Sequence, residues 1–84
     1  MEYKTKFIED FSVGMESAIE KTVTIEDIKR FAEVSGDFNP VHLDEEFAKK
    51  TIFKGRIAHG FLTASFISTI IATELPGPGS IYLK

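Results

Sequence analysis

Ser35-Gly36-Asp37-Phe38-Asn39-Pro40-Val41-His42 sets an acid, an amide, a proline and a histidine within eight residues. The stretch lies between two helical patterns. A second histidine follows in Ala58-His59-Gly60, at the mouth of the longest apolar run in the chain. Few structural elements need this combination. Acid–base chemistry on a small polar centre does.

Upstream of the stretch, Thr24-Ile25-Glu26-Asp27 is a helix start signal. Thr24 can cap and Asp27, three residues on, can close a capping box. Ile25, Ile28, Phe31 and Ala32 then recur at helical spacing, with Glu26, Lys29, Arg30 and Glu33 on the other face. Gly36 ends this helix as a C′ glycine. Further back, Phe7 to Gly14 reads as a lead-in with a turn at Gly14. Glu16 to Val23 shows a weak period-two alternation, which predicts a strand.

Downstream, Asp37 to Leu43 has no period. Pro40 biases Asn39 toward extended conformations and stops a helix from continuing through it. A short helix is expected from Asp44, with acids at its start and Lys49 and Lys50 at its end, as the helix dipole favours. Thr51 to Arg56 reads as a loop pivoting on Gly55. A long helix follows His59-Gly60. Phe61, Leu62, Ala64, Phe66, Ile67, Ile70, Ile71 and Leu75 leave it no wide polar face, so most of it is expected to be buried. From Phe61 to Leu75 it would run about 22 Å. Pro76-Gly77-Pro78-Gly79 breaks it, and Ser80 to Lys84 begins what reads as a second strand.

The 84 residues make one domain, 1–84, with a thin core. There are no cysteines, hence no disulfide framework and no thiolate metal site; this is compatible with a reducing, cytoplasmic setting. A net charge of −3, mixed in sign along the chain, argues against a general nucleic-acid surface. The N-terminus lacks the apolar segment of a signal peptide. The longest apolar run is broken by threonines, serines and a glutamate and is shorter than the ~20 residues a membrane span needs.

Asp37 and His42 lie five apart across the proline-containing loop. Such a pair can hold one water between a carboxylate and an imidazole, and histidines titrate near neutrality. Equally, Asp37 can close a turn and His42 can be a half-exposed surface residue. Asn39 can orient loop groups through its amide, or serve only as a pre-proline turn residue. Gly60 opens a helix whose first N–H groups have no internal partner and can receive developing negative charge. The plainer reading is a tight turn at Gly60 beside a satisfied buried His59. Ser65 and Ser68, three apart, can reach a ligand or bond back to the preceding turn. A metal site from Asp37, His42 and His59 lacks any clustered-histidine pattern to support it, so no metal is expected.

Three blocks in order carry a resemblance: Phe31-Ala32-Glu33-Val34-Ser35-Gly36-Asp37-Phe38-Asn39-Pro40-Val41-His42-Leu43-Asp44, then Ile57-Ala58-His59-Gly60-Phe61-Leu62-Thr63-Ala64-Ser65, then Leu75-Pro76-Gly77-Pro78-Gly79-Ser80. Together they resemble the (R)-specific enoyl-CoA hydratases of the MaoC-like dehydratase family. The resemblance runs from about Phe11 to Leu83. It implies an α+β, hot-dog-type fold, an antiparallel sheet around a long central helix from Gly60 to Leu75. It implies a lyase of fatty acid metabolism that reversibly adds water, syn, to a trans-2-enoyl-CoA to give an (R)-3-hydroxyacyl-CoA. Asp37 and His42 would share the catalytic water, and the N–H of Gly60 would polarise the thioester carbonyl. Asn39 would support the pair, and His59 and Ser68 would complete the oxyanion and substrate-binding group. No cofactor is implied beyond the thioester substrate itself, whose carrier, CoA or acyl carrier protein, stays open.

Members of that family continue past Ser80-Ile81-Tyr82-Leu83 with further strands that form most of the sheet. The sequence therefore reads as truncated after the central helix. The expectation is a sheet completed by self-association, as a homodimer or higher homo-oligomer. A non-catalytic acyl-thioester binding module, or an inactive fragment of a hydratase, is the alternative.

Overall fold

The computed structural model describes residues 3–83. The chain divides into two compact units, Lys21–Thr63 on one hand and Met1–Glu20 with Ala64–Lys84 on the other. Four helices occur among the described residues: α1 Ile25–Ser35, α2 Pro40–Leu43, α3 Glu45–Lys49 and α4 Gly60–Thr73. A single 3₁₀ turn, Ile8–Asp10, precedes them.

In the Lys21–Thr63 unit, α1 starts at the expected capping box. The Thr24 hydroxyl accepts from the Asp27 N–H at 3.1 Å, and the Asp27 carboxylate accepts from the Thr24 N–H at 3.0 Å. Two donors that the helix leaves open are thereby closed reciprocally. The same Asp27 carboxylate meets Lys21 at 3.3 Å. Bonding to the Thr24 backbone, then to the Thr24 and Lys21 side chains, holds it below the usual carboxylate range against a smaller desolvation effect. At the other end Gly36 takes φ +80° and gives its N–H to Ala32 O at 2.8 Å, as expected of a left-handed cap.

Helix α2 departs from the expectation that no helix lies between Gly36 and Asp44. The helix begins at Pro40 instead of running through it, so the missing N–H is one the helix could not have used. Asn39 caps it, accepting from the Val41 N–H at 3.1 Å. Helix α3 follows as expected, capped by Asp44, which accepts from the Phe47 N–H at 3.0 Å. Helix α2 packs against both α1 and α3. In the loop before α4 the pivot is Lys54, at φ +61°, and not Gly55. The buried residues of this unit are Ile28, Ala32, Ala48 and Leu62 with His42 and His59. So small an apolar core makes the two histidines a large part of what is packed inside.

In the other unit Gly14 takes the positive φ expected of the lead-in turn, at +92°. The Asp10 carboxylate accepts from the Phe7 N–H at 2.8 Å and closes the 3₁₀ turn. Helix α4 stops at Thr73, two residues before the expected Leu75. Pro76 disfavours helical geometry at Leu75. The Glu74 N–H keeps the helical bond to Ile70 O at 2.9 Å, the Leu75 N–H turns to the same oxygen at 2.9 Å, and Gly77 N–H closes on Ile71 O at 2.9 Å.

Two expectations need correction. No strand occurs among the described residues, so the antiparallel sheet of an α+β fold is not present in them. Residues 16–23 are irregular, and residues 80–83 likewise; Lys84 lies outside the described residues. Alternating side chains favour a strand only when a neighbour takes up its N–H and C=O groups, and no described segment pairs with either stretch. For the same reason α4 is not enveloped. Leu62 is its one buried residue among those described, while Phe61 is 81 % and Ile67 61 % exposed. No described helix is long and apolar enough to cross a membrane.

Candidate active site

A relay of side chains holds the loop between α1 and α2. The Ser35 hydroxyl donates back to Phe31 O at 2.7 Å and accepts from the Asp37 N–H at 3.2 Å. The Asp37 Oδ1 accepts from the Asn39 N–H at 3.1 Å, and the Asn39 Oδ1 accepts from the Val41 N–H at 3.1 Å. Every second residue thus ties down the backbone two places on, the local bonding that serine, aspartate and asparagine favour in turns. With Oδ1 used in this way, the other oxygen of Asp37 is left to face His42.

His42 sits in α2, 8 % exposed, and is anchored to the segment just before α4. Its Nδ1 lies 2.9 Å from Ile57 O. A carbonyl only accepts, so Nδ1 carries the hydrogen and, in the neutral ring, Nε2 keeps its lone pair. Ile57 N–H returns a bond to Val41 O at 3.2 Å, and Arg56 Nε donates to His42 O at 2.8 Å. These three bonds clamp α2 to residues 56–57. The Nε2 of His42 then stands 4.0 Å from Asp37 Oδ2. That is too far for a direct hydrogen bond and leaves room for a water about 2.8 Å from each.

His59 is 2 % exposed and lies under this pair. Its ring stacks on His42 with centroids 3.9 Å apart and planes 27° off parallel. Phe31 meets it from another side at 4.8 Å and 57°. Its Nε2 donates to the Asp37 carbonyl at 3.0 Å, and its Nδ1, although buried, has no partner among the described residues. The satisfied buried histidine of the plainer reading is therefore satisfied on one nitrogen only. Donor atoms of Asp37, His42 and His59 come within 4.8 Å of one another. The stacked rings nevertheless suit a metal poorly, because lone pairs lying in two nearly parallel planes run side by side instead of converging at one ion.

Gly60 is the first residue of α4, so its N–H has no acceptor within the helix. The space where a side chain would sit is open: beyond its chain neighbours and its own helix backbone, a Cβ added there would meet no described residue within 4 Å. Asp37 and Asn39 are exposed. Ser68 falls in the other unit, as an exposed residue of α4. Ile25, Lys29, Glu33, Phe38, Leu43 and Arg56 line a neighbouring cleft of about 300 Å³ that includes neither Asp37 nor His42. The sequence reading missed Phe31, Arg56 and the Ile57 carbonyl. Arg56 and Ile57 lie in or beside a stretch read as loop, and a backbone oxygen leaves no mark in a residue pattern.

Residues 11–82 match the family model of the MaoC like domain. A 3-hydroxybutyryl-CoA dehydratase of Methylorubrum extorquens is 45% identical over 83 residues, covering 99% of this chain and 53% of the relative. An (R)-specific enoyl-CoA hydratase of Rhodospirillum rubrum is 48% identical over 78 residues, covering 93% and 54%. Among solved structures, the unliganded R-hydratase PhaJ1 from Pseudomonas aeruginosa superposes with a TM-score of 0.86 at 50% identity, over 90% of this chain and 49% of that one. This likeness supports the hot-dog-type fold. The chain spans about half the length of the curated relatives it matches. With a family model matched along most of its length and relatives this similar, the chain belongs to the MaoC-like domain family.

Proposed function

We propose that this chain carries the catalytic residues of a hydro-lyase that reversibly adds water to a trans-2-enoyl-CoA, giving an (R)-3-hydroxyacyl-CoA. The single observation that carries the reading is the 4.0 Å gap between His42 Nε2 and Asp37 Oδ2. It has the width of one shared water, and the Nδ1–H bond to Ile57 turns the basic nitrogen of His42 toward it. The activities named for the relatives point the same way.

In this reading His42 Nε2 takes a proton from the water as its oxygen bonds to the β-carbon. The π electrons of the alkene move toward the thioester carbonyl, and the Gly60 N–H stabilises the enolate oxygen. The Asp37/His42 pair returns one proton to the α-carbon on the same face. The proton taken is the proton given back, so the reaction balances with water as the sole co-substrate and needs no cofactor. Asn39 keeps Asp37 and Val41 in register. Two copies, or more, complete the antiparallel sheet and cover α4, whose exposed Phe61 and Ile67 support that assembly. The cysteine-free composition fits a cytoplasmic setting.

The test is to supply the chain with a short trans-2-enoyl-CoA, follow loss of the conjugated thioester absorbance and resolve the product on a chiral column. The expected product is the (R)-3-hydroxyacyl-CoA. A folded chain that leaves the absorbance unchanged overturns the proposal.

A further inference from the structure

His59 takes no part in the proton transfers above, yet it is the most deeply buried large side chain in its unit, 2 % exposed. A residue so enclosed offers no surface to a substrate. What it does touch is both halves of the pair. Its Nε2–H bonds the carbonyl of Asp37, and its ring lies against the ring of His42. Phe31 packs on it from another side and restricts its rotation.

The unpartnered Nδ1 makes the choice of side chain informative. A buried acceptor without a partner is destabilising. Phenylalanine would fill the same space with no such defect. What phenylalanine lacks is the Nε2–H donor to Asp37. That bond is the feature for which a histidine, and not another ring, suits the position.

We infer that His59 is a positioning residue that sets the separation of the Asp37 carboxylate and the His42 imidazole, through its hydrogen bond to one and its stack on the other. Asp37 lies on an exposed loop and His42 in a four-residue helix, and neither element is stiff on its own. His59 enters from the start of α4 and ties both to one ring. This rests on the hydration reading above, because a fixed gap matters only if a shared water uses it. A displacement of about 1 Å can cost about 10²-fold in rate.

Two substitutions separate the contacts. His59→Phe keeps a ring against His42 and loses the donor; His59→Gln keeps an amide donor of similar reach and loses the ring. With a short enoyl-CoA, His59→Phe should lose about 10²-fold in kcat with KM within about twofold, and His59→Gln should recover at least about tenfold of that loss. Nitrogen-15 spectra of the histidine rings supply a readout independent of turnover. They should show hydrogen on Nε2 of His59 and on Nδ1 of His42 in the wild type. In His59→Phe the Asn39 and Val41 amide signals should shift while the helical circular dichroism stays. The inference is overturned by an Nδ1–H tautomer at His59, by unmoved Asn39 and Val41 signals in His59→Phe, or by equal kcat losses in the two variants. If the wild type shows no turnover, the hydration reading fails, and the ring tautomers and amide shifts still decide whether His59 positions the loop.

Discussion

The Nε2 of His42 and the Oδ2 of Asp37 face each other across 4.0 Å, and neither atom is held by a direct bond to the other. Each is aimed from behind. Ile57 fixes the tautomer of His42, and the Asn39 N–H engages the other oxygen of Asp37. The gap is therefore not held by mutual attraction, and removing one partner should leave the other in place.

Asp37→Asn tests that independence. The amide keeps an oxygen for the Asn39 N–H but loses the negative charge. Because Asp37 is exposed, stability should change by less than about 0.5 kcal/mol. Hydration of a short enoyl-CoA should fall by about 10²- to 10⁴-fold. Paired denaturant melts and absorbance assays read both; a variant with wild-type kcat removes Asp37 from the chemistry.

Asn39→Ala should destabilise the chain by about 1 kcal/mol, since the start of α2 loses its cap on the Val41 N–H. Asn39→Asp retains an oxygen acceptor there and should melt within a few tenths of a kcal/mol of the wild type. Urea titration distinguishes the two. Equal losses would mean that the amide matters for something other than capping.

In Gly60→Ala the added methyl group meets no described residue within 4 Å beyond its chain neighbours and its own helix backbone. Alanine is the better helix former by up to about 1 kcal/mol, so the melting temperature should hold or rise. Turnover should nevertheless fall by about tenfold or more, because a methyl group would stand where the proposed reading places the thioester. Unchanged kcat and KM would place the carbonyl elsewhere.

Asp27 predicts an acid dependence. Its carboxyl is held below its ordinary value of 3.8, first by the Thr24 backbone. A group whose folded value is depressed stabilises fully above its unfolded value and loses that contribution as pH falls through the folded value. The capping contribution should thus be intact at neutral pH and be lost as pH falls below about 3.8, the unfolded reference. Asp27→Asn should flatten that segment of the stability–pH curve, measured by denaturant midpoints. A curve as steep as the wild type's would assign the acid sensitivity to other carboxylates.

The exposed Phe61 and Ile67 predict association. Covering apolar area is favourable by about 25 cal/mol per Å². Sedimentation equilibrium at low concentration should find dimers or larger species, and Ile67→Glu should shift the population toward monomer. A compact wild-type monomer contradicts the proposed assembly.

Local features were legible in the sequence wherever their cause is local. The Thr24/Asp27 capping box, the Gly36 cap and the helix start at Asp44 each need only a few neighbouring residues, and each stands where the pattern put it. The Asp37-to-His42 motif also pointed at a centre of polar chemistry before any distance was known. Helix α2 escapes such a reading because one signal, Pro40, has opposite meanings at the start and in the interior of a helix. The strands fail for a different reason: alternation is a property of the segment, whereas pairing needs a second segment, and the described residues hold none.

Residue types, motif and family could thus be read from the chain alone, because they depend on composition and short spacing. Tertiary structure alone decided the width of the Asp37–His42 gap, the Ile57 carbonyl that orients His42 and the burial of His59 beneath them. The last two relations join residues 15 and 22 places apart. No local periodicity records them; they exist only once packing has brought the start of α4 against the loop.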